Sequence, residues 1–555
     1  MAPKAHSTAT RARKSTAPPG PKRRPKASAP PAQKSKRAER AASHSPSPAS
    51  APILSARPGG VGSGWIPAVG EVGIRVRMYR VGFGDFFLIT CLNGNAKPLH
   101  IVVDCGVFRG TSQTGDLGSI NAAVANMAQT TDGQVALIIM THRHADHIAG
   151  FARCADTFKK LTVGGVWMPI WESEYEPTAV KFQAELMRTA LGLRQHFTTF
   201  GATASEEQHT ARKYMENATG ELDMASGAAK GSNAVALDLL KHGIAGVAPK
   251  YYKAKDTAKL PQALVDAGLE CEILGPPPLA DMDLMKLIDL QKNVGQYLTD
   301  NGGEAPGLCA PFGSEWEVDP MNAPTGGESE CYAPESFREW VQDPRRKSWE
   351  PIKREKSLRA QENMERALKQ SQPIAALVAA KQLNAFLNNQ SLVVLFTFKG
   401  KKLLFVGDAQ AGNWEHWLFE TDTPDKKASG IIGKGARQIL TSLNFYKVGH
   451  HGSGNATPKA AVEMMGTQGH KFAAMCSTEA DVYGTEDPDD PTKGTEVPRG
   501  PLLEKLASES ALVRSDQIAI TVDKKSIPAK TPKALPTPLP GSRFEEGVLW
   551  VDCYL

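Results

Sequence analysis

Residues Thr141-His142-Arg143-His144-Ala145-Asp146-His147 place four metal-capable side chains within six positions, spaced H-x-H-x-D-H. Imidazole nitrogens and carboxylate oxygens hold Zn²⁺ and similar ions only where several deprotonated donors converge on one point. The run before the motif, Val135 to Met140, is apolar throughout and reads as a buried strand. A loop leaving such a strand puts His142 and His144 on one side and Asp146 and His147 on the other, enough for two centres. Gly150 then marks a turn. A merely solvated loop has no need of this spacing. The chain must therefore form a sheet that carries this loop, and other strands must bring the remaining donors.

Three further strand ends carry donors. Ile101-Val102-Val103-Asp104-Cys105-Gly106 is apolar up to an Asp, and Lys402-Leu403-Leu404-Phe405-Val406-Gly407-Asp408 ends in Gly-Asp. Tyr446-Lys447-Val448-Gly449-His450-His451-Gly452-Ser453 ends in histidines. Together with the H-x-H-x-D-H loop, and in this order, these segments resemble the metallo-β-lactamase superfamily. Arg80-Val81-Gly82-Phe83-Gly84-Asp85, Asn388-Asn389-Gln390-Ser391-Leu392-Val393 and His450-His451-Gly452-Ser453 narrow the resemblance to the metallo-hydrolase domain of ComEC-type DNA-uptake proteins. The ending, Leu512-Val513-Arg514-Ser515 leading into Ile518-Ala519-Ile520-Thr521-Val522, is similar too. The resemblance runs discontinuously from about 75 to about 522. It departs from the subgroup at Arg80, where Asp is usual, in large inserts between the motifs, and in having no membrane channel. It implies an α/β (α+β) chain folded as an αββα sandwich, with two mainly helical inserts and a disordered N-terminal tail.

Composition divides the 555 residues the same way. Residues 1–50 hold twelve Lys/Arg and one acid, so they carry +11 of a net +6 and leave −5 for the remainder. Rich in Ala, Pro, Ser and Lys, residues 1–66 lack the apolar area to offset chain entropy and are expected to be a disordered basic tail. Pro21-Lys22-Arg23-Arg24-Pro25-Lys26 within it suits polyanions or a nuclear address. Residues 67–525 form the domain, with inserts at about 173–260 and 280–386, and 526–555 make a Pro-rich segment with a terminal strand. A basic stretch from Arg345 to Lys369 reads as an exposed amphipathic helix, with a nucleic-acid backbone as the rival reading. Neither a run of 18 apolar residues nor a secretory h-region occurs, so no membrane insertion is expected. The eight cysteines include no C-x-x-C, which fits reduced thiols and a cytoplasmic protein.

Carried onto these positions, the resemblance assigns His142 and His144 to one metal and Asp146 and His147 to a second. Asp408 bridges them, one oxygen to each ion. His450 completes the second centre, and His451 stays open as its rival, since adjacent strand residues point apart. Asp104 orients a ligand histidine or caps a turn. The histidine that many superfamily members carry before the Gly-Asp strand is replaced by Leu387-Asn388-Asn389-Gln390-Ser391. Asn389 is the candidate there, as a harder amide donor that tolerates Mn²⁺ beside Zn²⁺. His196, His209 and His242 of the first insert read as helix-surface histidines. Asp85 positions substrate or water, or stabilises its turn; Ser453 binds a phosphate oxygen or caps a helix. Two divalent ions activate water for hydrolysis, with Asp146 or Asp408 taking its proton. The expected function is metal-dependent hydrolysis, first of nucleic-acid phosphodiesters. The alternatives are a small-molecule hydrolase and a non-catalytic, metal-stabilised binding module.

Overall fold

The structure, a computed structural model, describes residues 71–108, 118–198, 206–220, 232–285, 287, 376–419, 432–467, 471–484, 486, 496–517 and 534–555. The chain divides into Met1–Val61 and Gly62–Leu555, and only the second unit contains described residues. The basic tail, the stretch from Arg345 to Lys369 and the segment from Ile518 to Val522 all lie outside them.

Apolar runs of alternating or continuous burial form the strands β1 (Val72–Tyr79), β2 (Phe86–Asn93), β3 (Leu99–Cys105), β4 (Gln134–Val135), β5 (Leu137–Ile139), β6 (Thr162–Val163), β7 (Val166–Pro169) and β8 (Pro249–Tyr252). After the first insert come β9 (Leu269–Gly275), β10 (Val393–Phe398), β11 (Lys401–Phe405), β12 (Phe445–Lys447), β13 (Phe472–Cys476), β14 (Ser510–Arg514), β15 (Arg543–Glu546) and β16 (Trp550–Tyr554). One large sheet has the order β15-β16-β1-β2-β3-β5-β7-β8 and the other β14-β13-β12-β11-β10-β9, while β4 and β6 form a separate parallel pair. In each large sheet, a parallel half (β3-β5-β7-β8 and β11-β12-β13-β14) adjoins an antiparallel half.

The period-two rule explains the layering. On β1, Ile74, Val76 and Met78 face inward and meet Phe405, Phe445 and Met475 of the other sheet in one core. The outward residues Tyr79, Leu88 and Val102 pack on helices α1 (Ile120–Thr130) and α2 (Ala145–Arg153). On the second sheet, Leu404, Tyr446 and Ala474 pack outward on the helices Ala411–Leu418, Lys434–Leu440, Lys459–Met465 and Gly500–Glu509. The packing order is thus helix, sheet, sheet, helix.

Where it is described, the first insert is mainly helical. After the short α3 (Ala155–Phe158) come α4 (Pro177–Thr198), α5 (Glu206–Thr219) and α6 (Ser232–Asp238), and the insert then returns to the sheet edge as β8. Phe182, Leu186 and Met215 of the insert share a core with Leu383 and Phe386 of the helical stretch 376–389, so the two inserts are welded together where they are described. The terminal strand expected in 526–555 is β16, which pairs antiparallel with β1 from Arg75↔Tyr554 to Tyr79↔Trp550. Gly150 marks no turn. It lies inside α2, where any Cβ would sit 2.5 Å from Cys105 Sγ, so its bareness lets the helix lie on the end of β3.

None of the six described cysteines is in a disulfide. Among the described residues, no helix is long and apolar enough to cross a membrane.

Candidate metal centre

Donors gather where parallel strands of both sheets end. Asp104 is on β3, the H-x-H-x-D-H loop follows β5, Asp408 follows β11, and His450-His451 follows β12. Carboxyl ends of parallel strands are the usual place for ligands in such sheets. Asp85 joins from the turn between β1 and β2, its N–H donating 2.8 Å to the Asp146 carbonyl. That approach requires Gly84 and Gly106, since a Cβ on Gly84 would lie 2.5 Å from the Gly106 carbonyl and one on Gly106 would lie 2.1 Å from the carbonyl carbon of Asp146.

Asp408 Oδ2 is the focus. His147 Nε2 lies 3.0 Å from it, His451 Nε2 3.6 Å, His450 Nε2 3.8 Å and His142 Nε2 3.9 Å. Asp146 completes the cluster, its Oδ2 3.3 Å from His451 Nε2 and its Oδ1 3.9 Å from His147 Nε2. His144 Nδ1 lies 2.9 Å from His142 Nε2. All these side chains are buried to 2% exposure or less, apart from His450 at 16%. The Nε2 atoms of His144, His147 and His451, Asp146 Oδ1 and Asp408 Oδ2 are buried with no hydrogen-bond partner. Each such atom costs about 1–3 kcal/mol unless something pairs it. Lone pairs facing lone pairs are paired by cations, so the donor set fits divalent metal ions. Asp146, His147, Asp408 and His451 lie close enough together to hold one.

The outer ring nitrogens are spoken for, which aims the inner ones. Asp104 Oδ2 lies 2.7 Å from His147 Nδ1, while Asp104 also accepts from the Thr141 N–H and hydroxyl at 2.7 Å each. With Nδ1–H so engaged, His147 keeps the Nε2 lone pair for the cluster. His451 Nδ1 donates 2.8 Å to the Ser477 carbonyl, with the same result. His142 Nδ1 faces the Thr141 hydroxyl at 3.2 Å. Asp104 is thus placed to orient the His147 ring.

Electrostatics follow from this crowding. Burial, then the neighbouring His147 and His144, hold His142 well below the usual histidine range, and burial takes His144 down to about 4. Burial opposes charge on Asp146 too, but the neighbouring His451 and His147 outweigh it and bring the carboxyl to about 2.

Strained backbone turns His450 and His451 to the same side. Both adopt left-handed φ, 45° and 52°, as does Asp104 at 55°. Such residues cost about 1–3 kcal/mol each and persist where their surroundings hold them. Two in succession break the strand alternation, so both imidazoles face Asp408. His451 reaches Asp146; His450 does not replace it there, and instead meets Asn388 Nδ2 at 3.4 Å and Gln410 Nε2 at 3.1 Å.

Other expectations need correcting. Asp408 turns only one of its oxygens to the imidazoles. The imidazoles crowd Oδ2, while Oδ1 faces Lys447 at 3.6 Å. Asn389 turns away, because its amide donates to the carbonyls of Met285 and Leu287 and its oxygen accepts from the Asn413 N–H. Its neighbour Asn388 faces the site, with Oδ1 buried and unpartnered. Ser453 caps no helix, the next one having Pro458 at its cap; its hydroxyl donates 2.8 Å to Asn455. Asp85, for which substrate positioning or turn stabilisation was expected, lies 3.5 Å from His451 Nδ1 and 3.7 Å from His147 Nδ1, on the side of these rings away from Asp408 Oδ2. His209 and His242 are on the outside, His242 facing Glu174 at 3.3 Å, and His196 lies on α4.

Sequence reasoning missed Lys447, Gln410 and the clamp on the motif loop. Arg143, inside the motif, forks onto buried Glu172 with two bonds of 2.6 Å. Asn217 of α5 accepts from the Asp146 N–H at 3.1 Å, and Asn233 of α6 donates to the Arg143 carbonyl at 2.9 Å. The first insert thus helps to fix the motif loop. No protein-family model and no curated protein matches the chain.

Proposed function

We propose that the chain is a metal-dependent hydrolase with a dinuclear centre on a metallo-β-lactamase-type αββα sandwich. The observation that carries this reading is the convergence of four imidazole nitrogens, 3.0–3.9 Å away, on Asp408 Oδ2. One ion would be held by His142, His144, His450 and Asp408, the other by Asp146, His147, His451 and Asp408. His450 then fills the place left by the missing superfamily histidine, with Asn388 Oδ1 beside it as a further donor. Zn²⁺ suits the imidazole-rich set, and the carboxylate and amide oxygens also suit Mn²⁺.

Bound ions of this kind activate water and neutralise charge on the attacked group. Asp146 lies beside His451 and His147 and would be the carboxylate nearest a bound water, placed to take its proton. Asp104 and Ser477 keep two imidazoles in the tautomer that presents Nε2. A phosphodiester is the preferred substrate, because two cations match its doubly charged transition state, and the ComEC-like motifs point to nucleic acid. The burial of every donor except His450 favours a second substrate class, a small ester reaching the centre from the His450 side.

The test is metal content measured alongside hydrolysis of single- and double-stranded DNA, RNA and bis(p-nitrophenyl) phosphate with Mn²⁺ or Zn²⁺, using Asp408→Asn as control. The expected result is two ions per chain and a turnover that the control lacks. Cleavage of polymer supports the nuclease, and cleavage of the small ester alone supports the second class. Bound metal without turnover on any of these leaves a binding module, and no bound metal refutes the centre itself.

A further inference from the structure

Lys447 lies where an ammonium group is least expected. It ends β12 on the face that Phe445 turns into the core between the sheets, and its side chain is 2% exposed. Its Nζ pairs with Asp85 Oδ2, donates 2.8 Å to the Gly407 carbonyl and lies 3.6 Å from Asp408 Oδ1. Gly407 and Asp408 are thus gripped at two points by one cation.

Asp85, Asp104 and His147 form a second group close enough to hold an ion. The group is already filled. Lys447 is seated on Asp85, and His147 Nδ1 is engaged by Asp104 at 2.7 Å. This acidic pocket lies behind the centre, with Lys447 as the cation that Asp85 already meets.

Resting on the metal-centre reading, we propose that Lys447 is a positioning residue. With Asp85 as its counter-ion, it restrains Asp408 through Oδ1 and the Gly407 carbonyl, so that Oδ2 alone is presented to the histidines. Partners behind a metal ligand set its orientation, and losing one weakens metal affinity by about 10- to 100-fold. A lysine acting only as a nearby positive charge makes the opposite prediction, because removing a cation from beside the site tightens the binding of another.

The test uses the full chain. Wild type, Lys447→Met and the double variant Asp85→Asn/Lys447→Met are titrated with Co²⁺, followed by its visible absorption, and Zn²⁺ content is measured after dialysis. Folding is checked by near-ultraviolet circular dichroism. Lys447→Met should bind at least one ion about 10- to 100-fold more weakly, and the double variant should stay equally weak. Unchanged or tighter binding in Lys447→Met overturns the proposal. So does recovery in the double variant, which would mean that Lys447 only neutralises Asp85. If Lys447→Met does not fold, the double variant, which removes both members of the pair, decides alone: weak binding supports positioning and wild-type binding refutes it. A wild type that binds neither metal refutes the centre itself, a result distinct from any of these.

Discussion

His100 on β3 shows what burial does to one titratable side chain. It is 5% exposed, its Nδ1 meets Thr90 Oγ1 at 3.1 Å, and burial, reinforced by Arg75, takes its pKa down to about 3. In the unfolded chain the value is about 6.5. The folded state therefore refuses a proton that the unfolded state accepts, and stability falls as pH drops from about 6.5 towards 3, by about 1.4 kcal/mol per unit. Urea unfolding at pH 7 and pH 4.5 should show wild type losing about 2–3 kcal/mol more than His100→Gln over that interval. Equal losses would show that His100 is not held neutral. The same penalty on buried polar groups separates the site residues that sequence revealed from those it hid. His142, His144, Asp146 and His147 announce themselves because four donors crowd one loop. Lys447 carried a comparable signal, a charge at an inward position of an apolar strand, which demands a carboxylate partner. Asn388 and Asn389 carried none. Which amide faces the centre depends on Met285 and Leu287, whose carbonyls claim Asn389.

At the scale of elements, the apolar runs ending in Asp104, in the H-x-H-x-D-H loop and in Gly407-Asp408 were legible because a buried strand and a tight exit leave a sequence pattern. β8 and β15 were not. They are short, carry Lys, Arg and Glu, and exist because a neighbouring strand offers its edge. β16 was legible as a strand, but not its place beside β1. A charge cluster fixes that place. Asp552 on β16 accepts two bonds of 2.7 Å from Arg77, which lies over Trp550 at 3.9 Å, and Arg75 Nη1 is 3.7 Å from the same carboxylate. The side chains of Arg75, Arg77 and Asp552 are buried to 1% exposure or less, so these charges on the outward face of β1 and β16 meet no water. Removing one partner of a buried pair costs about 3–5 kcal/mol, whereas replacing both by apolar groups is often neutral. Asp552→Ala should lower stability by about that amount in chemical denaturation, and Arg77→Met/Asp552→Leu should recover most of it. A mild Asp552→Ala would mean that the strand is held by its ladder and its apolar residues instead.

For the whole molecule, charge distribution decides how a polyanion would be met. Residues 1–50 carry +11 and the rest of the chain sums to −5, so the part that holds the centre does not attract nucleic acid through its net charge. If the substrate is a nucleic acid, long-range attraction must come from the tail. Binding that neutralises phosphates weakens with salt, with a log–log slope of about −0.7 to −0.9 per phosphate contacted. Deleting residues 1–66 should therefore leave turnover of bis(p-nitrophenyl) phosphate unchanged, because no residue of the centre is removed. It should weaken DNA binding at low salt and flatten the slope by about 3 to 5, the change expected if four to six of the twelve tail cations reach phosphates. Fluorescence anisotropy with labelled DNA at 50–300 mM salt reads this directly. An unchanged slope would transfer the phosphate contacts to the body of the chain, against the sign of its charge. A chain that loses small-ester turnover on deletion would show that the tail contributes to the centre, and the reading of residues 1–66 as an appendage would fail.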